Sequence, residues 1–244
     1  MKKRIYLILL SVTVIFFSCK DKKDGFTQQL FTQAEIVAAL KQCLETAAFR
    51  TCEELCIVDT MNHTKGFTYC DSKSYSLDLP AAAKIVIDTL KTHSGFYNNL
   101  DSLLIADLNR AAERCNTLMR DFWTPTSKSI IFSNPNATLK GGSSAITNFV
   151  KQNYQYEFVN LLANSILKEE FNKSDLDLIN RWNILQQEYN TITGTYSSID
   201  LLAPAAQQMA DGFFKKMALE EATIRKNPDL RGNPSGLFYR VFNY

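Results

Sequence analysis

The chain reads as all-α, a single multi-helix, bundle-like domain, and three observations predict this. A Thr-x-x-Glu capping box opens a helix at Thr32. Apolar residues recur at unbroken three- and four-residue steps from Leu100 to Phe122. Similar helical patterning covers Pro204 to Lys226. With 244 residues, 45% of them hydrophobic, the chain is long enough for one sizeable core. It shows no internal repeat and no low-complexity block.

The first segment stands apart from that domain. Met1, Lys2, Lys3 and Arg4 precede an apolar run from Ile5 to Phe17, the charged start and greasy middle of a secretory signal. As a helix the run would span about 20 Å, short of the roughly 30 Å hydrocarbon core. Ser18 precedes Cys19, while bulky Phe16 stands where an ordinary signal cut wants a small residue. The site looks instead like a bacterial lipobox, in which the Cys thiol is diacylated before the signal is removed. The expectation is therefore a signal at 1–18, a lipidated Cys19 with a solvated tether over 19–31, and a helical domain over 32–244. That places the protein in the cell envelope, at the outer membrane, with either face open. Losing Lys2, Lys3 and Arg4 from the 27 cationic residues leaves 24 against 25 acidic ones, so no basic patch argues for nucleic acid.

After the capping box at Thr32 and Glu35, Ile36, Leu40, Cys43, Leu44 and Ala47 mark one apolar face. From about His63 to Leu79 turn formers dominate and predict a long loop, with a small hairpin as its candidate regular structure. Pro80 suits a first helical turn. A helix then starts at Asn98 or Asn99 and runs toward Trp123, where Thr124-Pro125 is expected to stop it; Leu100, Leu104, Leu108, Ala111, Cys115, Leu118 and Phe122 form its core-facing seam. Further helices are expected after Ser144, from about Gln155 to Phe171, after Ser174 with Asp177 as boxing carboxylate, and near Leu237 to Phe242.

The stretches "LNRAAE" at 108–113, "DGFFKKMALEEATIRKNPDLR" at 211–231 and the closing "LFYRVF" resemble a helical bacterial family catalogued as domain of unknown function 4197. The resemblance runs from about Thr32 to the end. It implies an all-helical, exported or lipid-anchored protein and no activity. Asn109, Arg110, Glu113, Asp211, Gly212, Glu220, Glu221, Ile224, Arg225, Pro228 and Arg231 match the family pattern; Pro204-Ala205-Ala206 and Gly232-Asn233-Pro234 depart from it.

Glu221 and Arg225, four apart with the acid first, are spaced to pair on a helix, and Arg110 and Glu113 could pair at three. A ligand reading gathers Asn109, Arg110, Glu113, Glu220, Glu221, Arg225 and Arg231 into a polar cluster for a carboxylate or phosphate; a structural reading makes them an inter-helix network or solvated faces. Cys115 belongs to the core seam, leaving Cys43, Cys52, Cys56 and Cys70 as disulfide candidates. Helical spacing separates Cys52 from Cys56, so each is expected to pair elsewhere, for instance with Cys43 or Cys70. The alternative is zinc held by Cys52, Cys56, Cys70 and His63; neither a metal nor another cofactor is the expectation. "KGGSSA" from Lys140 could present amides to an anion or simply connect two helices. No zinc-protease, di-iron, nucleophile-elbow, Walker or dinucleotide motif is present. The reading is a lipid-anchored, non-enzymatic envelope protein that binds a protein partner or serves assembly. A carrier of an apolar ligand such as a lipid, and an enzyme using the Glu/Arg cluster, are the alternatives.

Overall fold

The computed structural model describes residues 31–94, 98–173 and 175–243. The signal at 1–18, Cys19 and nearly all of the tether lie outside them. From Phe31 onward the chain forms one unit, helical throughout with no strand among the described residues. Its helices are α1 Gln33–Leu55, α2 Gly66–Tyr69, α3 Ala81–His93, α4 Leu100–Glu113, α5 Asn116–Ser129, α6 Pro135–Lys140, α7 Ala145–Leu161, α8 Leu167–Phe171, α9 Leu178–Thr193, α10 Leu202–Lys226 and α11 Leu237–Phe242. A π-helical turn, Leu162–Ile166, joins α7 to α8, and a 3-10 turn, Pro228–Arg231, follows α10.

The two long helices, α1 and α10, pack on each other; α5, α6 and α11 lie against α1, α7 lies against α10, and α3, α4 and α9 pack together on a flank. Thr32 starts α1 as its sequence requires: the Glu35 amide donates to Thr32 Oγ1 at 3.2 Å, and the Thr32 amide donates to the Glu35 carboxylate at 2.8 Å. Ile36, Leu40, Cys43, Leu44 and Ala47 are all buried. Aromatic rings fill the centre. Trp123 stacks on Phe213 with centroids 5.6 Å apart, and Phe158 meets Phe214 edge-on at 5.5 Å.

Five sequence expectations are corrected. The helix expected to run unbroken to Trp123 is interrupted at Arg114 and Cys115. The break moves the buried stripe by one residue, so Met119 and Trp123 are buried in place of Leu118 and Phe122. Pro125 does not end α5. It removes one backbone donor, yet the helix continues to Ser129, and beside it the Thr124 and Thr126 hydroxyls donate to the carbonyls of Arg120 and Phe122. In place of a hairpin, the loop after α1 holds the single turn α2. Asp71, Ser72 and Lys73 then follow in left-handed conformation, with φ of 46°, 57° and 72°. The two helices expected after Ser144 and from Gln155 are one continuous run, because the π turn carries α7 into α8 without a loop. Asp177 stands at the N-cap position of α9 itself, with φ 44°, and its carboxylate accepts from the Asn180 side-chain Nδ2 at 3.1 Å and caps no backbone amide, so it is not a boxing residue three positions in; Ser174 lies outside the described residues.

Helix α10 begins at Leu202 because Asp200 accepts from the amides of Leu202 and Ala203, at 2.8 and 3.1 Å. Helix α11 has the bounds its sequence predicts.

Candidate functional site

The motif residues separate into two groups. On α10, Glu221 is buried and its carboxylate accepts from the amides of Ile146 at 3.0 Å and Thr147 at 2.7 Å, and from Arg225 Nε at 2.8 Å. Those amides belong to the first turn of α7, whose N-cap Ser144 makes no side-chain cap of its own. A carboxylate from a distant helix therefore takes the place of the local cap and meets the positive end of the helix dipole. The glycine-serine stretch from Lys140, for which an anion site and a plain connector were both open, connects α6 to α7, and the amides just beyond it, of Ile146 and Thr147, already hold an internal anion, the Glu221 carboxylate.

Arg225 extends the same arrangement to a helix C-terminus. Its guanidinium donates to the carbonyls of Leu139 at 2.8 Å and Thr138 at 3.2 Å in the last turn of α6, and it lies over the Phe242 ring at 5.1 Å. Arg231, also buried, donates to the carbonyl of Ile224 at 2.9 Å, to that of Arg225, and to Asn243 Oδ1 at 2.8 Å, closing the end of α10. These three side chains fasten α6, α7, α10 and α11 together.

The second group sits on α4 and serves the loop. Asn109 accepts from the Leu77 amide at 2.8 Å and donates to the Leu77 carbonyl at 3.0 Å, the two bonds a neighbouring strand would supply. Glu113 Oε1 accepts from the Thr68 amide at 2.8 Å and the Thr68 hydroxyl at 2.7 Å, holding the start of α2. Burial pushes its carboxyl up from the ordinary value of 4.5, against the lowering by Thr68 and the Arg110 field. Gly66 has φ +85°, and a Cβ there would stand 2.6 Å from both Glu113 Oε1 and the Ile57 carbonyl, so glycine is required. Arg110 is exposed and influences Glu113 only through its charge; the predicted three-residue pair gives way to Thr68.

Glu220 lies between these groups and accepts from Arg50 Nε at 2.7 Å. The Lys216 ammonium, buried along most of its length, stands 3.5 Å from Glu220 and 3.8 Å from Asp71. Its pKa is raised: burial opposes the charge, and the fields of Cys70, Asp71 and Glu220 overcome that opposition. Sequence reading did not single out Lys216 or Arg50. Lys216 could have been found from its four-residue spacing to Glu220, whereas Arg50 reaches Glu220 from 170 positions away.

Cys43, Cys52, Cys56, Cys70 and Cys115 are free and buried. Pairing Cys43 with Cys52 is excluded by geometry, because nine residues of straight helix separate them by about 13 Å while a disulfide needs Cα atoms within about 7 Å. The zinc alternative also fails. His63 is exposed and meets the Tyr69 ring edge-on at 4.4 Å, and no three His, Cys, Asp or Glu residues gather at a metal site among the described residues.

A cleft of about 200 Å³ lies beside α9, lined by Phe171, Trp182, Gln186, Ile199 and Leu202, all outside the two motifs. Trp182 Nε1 donates to the Ile199 carbonyl at 2.7 Å and pins the wall of this cleft. Among the described residues no helix is long and apolar enough to cross a membrane.

Residues 30–243 match the family model described as "Protein of unknown function (DUF4197)", and the chain belongs to that family. No curated protein and no solved structure matches the chain.

Proposed function

We propose that the chain is a lipid-anchored protein of the bacterial cell envelope that acts by binding a protein partner or in assembly, and not by catalysis. The observation that carries the second half of this reading is the use made of the motif side chains. Asn109, Glu113, Glu221, Arg225 and Arg231 direct their polar atoms at the protein's own backbone or at one another. A catalytic acid, base or anion clamp needs a free atom facing substrate. A carrier has less support: the aromatic centre is packed ring on ring, the cleft beside α9 holds about 200 Å³, below the roughly 300 to 1,000 Å³ of ligand pockets, and the larger depression of about 630 Å³ is lined by Gln187, Asn190, Thr191, Gly194, Thr195 and Tyr196, a mostly polar wall. The anchoring half rests on the lipobox at Cys19.

Metabolic labelling of the full chain with a palmitate analogue in its bacterial host tests the anchor. The wild type takes up label and sediments with membranes, and Cys19→Ser abolishes both; an unlabelled wild type overturns it. Native mass spectrometry of the delipidated protein tests the remainder. A stoichiometric co-purifying lipid in the folded domain would replace this reading with a carrier.

A further inference from the structure

The cleft beside α9 has a wall that α9 itself fastens. Asn190 Oδ1 accepts from the Ser197 amide and Nδ2 donates to the Ser197 carbonyl, both at 3.1 Å. Two positions on, the Gln186 side-chain oxygen accepts from the Ile199 amide, and Trp182 Nε1 donates to the Ile199 carbonyl at 2.7 Å. The segment 197–199 is thereby held in place against the helix. Ser198, between the two clamps, is exposed and makes no hydrogen bond among the described residues, through main chain or hydroxyl.

Gln186 carries the argument. It is 7% exposed and lines the cleft, and its oxygen is fixed toward Ile199 because only an acceptor can face an N–H. Its Nε2 has two donors left, no partner among the described residues, and contact with solvent. A half-used carboxamide, buried in a wall whose other buried members are Phe171, Leu178, Trp182 and Leu201, points to an acceptor supplied from outside.

Size and charge narrow the occupant. An apolar cavity of about 150 Å³ takes benzene, so this cleft of about 200 Å³ has room for one large apolar side chain and not for a lipid. Among the described residues that line it, Asp200 alone is charged, and its carboxylate already accepts from the amides of Leu202 and Ala203. Nothing in the lining draws an anion. A free fatty acid or amino acid would bring its carboxylate to that aspartate, whereas an apolar residue within a polypeptide brings an uncharged carbonyl. We propose that the cleft is the docking pocket for one phenylalanine-sized side chain of a partner polypeptide, whose main-chain carbonyl accepts from Gln186 Nε2. Ser198 offers its free main-chain groups to the adjoining peptide unit. The wall is set before the partner arrives, so little ordering is left to oppose binding. This inference rests on the partner-binding reading and names the place where that partner is gripped.

The chain has two tryptophans, so the Trp182 indole N–H is one of two such signals in a proton–nitrogen correlation spectrum of the purified full chain, and its loss in Trp182→Phe assigns it. The probe is N-acetyl-phenylalaninamide, an uncharged residue with a carbonyl on either side. It is expected to move the Trp182 signal saturably and to leave that of Trp123, in the aromatic centre, in place. N-acetyl-alaninamide should move neither. Gln186→Glu keeps an oxygen for the Ile199 amide and removes the free donor, so it should weaken the probe at least about threefold. Ser198→Phe, which fills the cleft from its exposed wall, should weaken it by as much. The Trp123 signal reports that both variants are folded. No saturable shift at Trp182 overturns the proposal, as does equal binding of the alanine probe or of toluene, which has the ring without the carbonyl. Unchanged affinity in either variant does so too. Each of these results removes the cleft and leaves the partner-binding reading standing, whereas a co-purifying lipid would remove that reading itself.

Discussion

At the end of α10, Glu221, Arg225 and Arg231 bond to the ends of regular helices; on α4, Asn109 and Glu113 bond to a loop with one helical turn and three consecutive left-handed residues. Both sets come from matched family motifs, and both satisfy main-chain groups their neighbours cannot. They differ in what depends on them. Helices α6 and α7 carry their own internal ladders and need only their termini closed. The loop at 57–80 has little ladder of its own, so Leu77 and Thr68 rely on side chains from another element. The first set stabilises the joints of the bundle; the second stabilises a single loop on its flank.

Glu221→Ala gives the largest effect. It strands two buried amides and the largely buried Arg225 guanidinium, and breaking such a pair costs about 3 to 5 kcal/mol, read as a lower midpoint in denaturant melts. Asn109→Ala should cost about 2 to 3 kcal/mol, since it leaves the Leu77 amide and carbonyl without partners. Its signature differs: the loop becomes a site of proteolytic nicking while helical circular dichroism is retained. Should this variant unfold the bundle as completely as Glu221→Ala, the contrast between joint and loop would be lost.

A pH series sharpens the comparison at Glu113. Its folded pKa is raised, chiefly by burial, so its contribution is fully present below the unfolded value near 4.5 and is lost as pH rises through the folded value. Relative to Glu113→Gln, the wild type should lose stability as pH climbs above about 4.5 and then level off; the difference between the two denaturant midpoints measures it. The smallest effect is at Arg110. It is exposed, so Arg110→Ala should shift stability by no more than about 0.5 kcal/mol, and a larger loss in the same melts would place it within the network.

Local signals were readable and long-range ones were not. Thr32 and Glu35 form their box because both partners lie within one turn, and α11 has the bounds its apolar run predicts. Glu221 and Arg225 pair as their spacing requires. No spacing, however, reveals that Glu221 also caps a helix 74 positions earlier, or that Asn109 reaches back 32 residues to Leu77. The break at Cys115 was hidden by a stripe that continues in sequence after the backbone has turned away from it. Pro125 misled for the opposite reason, as one missing amide does not end a helix that packs along α1.

The wide turn at Leu162–Ile166 fits one more residue into the rod than an α-helix would, while Leu162 and Ile166 remain turned inward. Chains usually gain or lose length in loops, since a deletion inside a helix rotates everything beyond it by about 100°. Here the surplus is already absorbed. Removing Asn164, which points to solvent, should let the turn narrow to ordinary pitch with Glu170 and Phe171 still facing their present neighbours. The same excision at Asn153 would swing them away. One turn within a rigid element thus gives this protein room to vary in length where a helix ordinarily allows none.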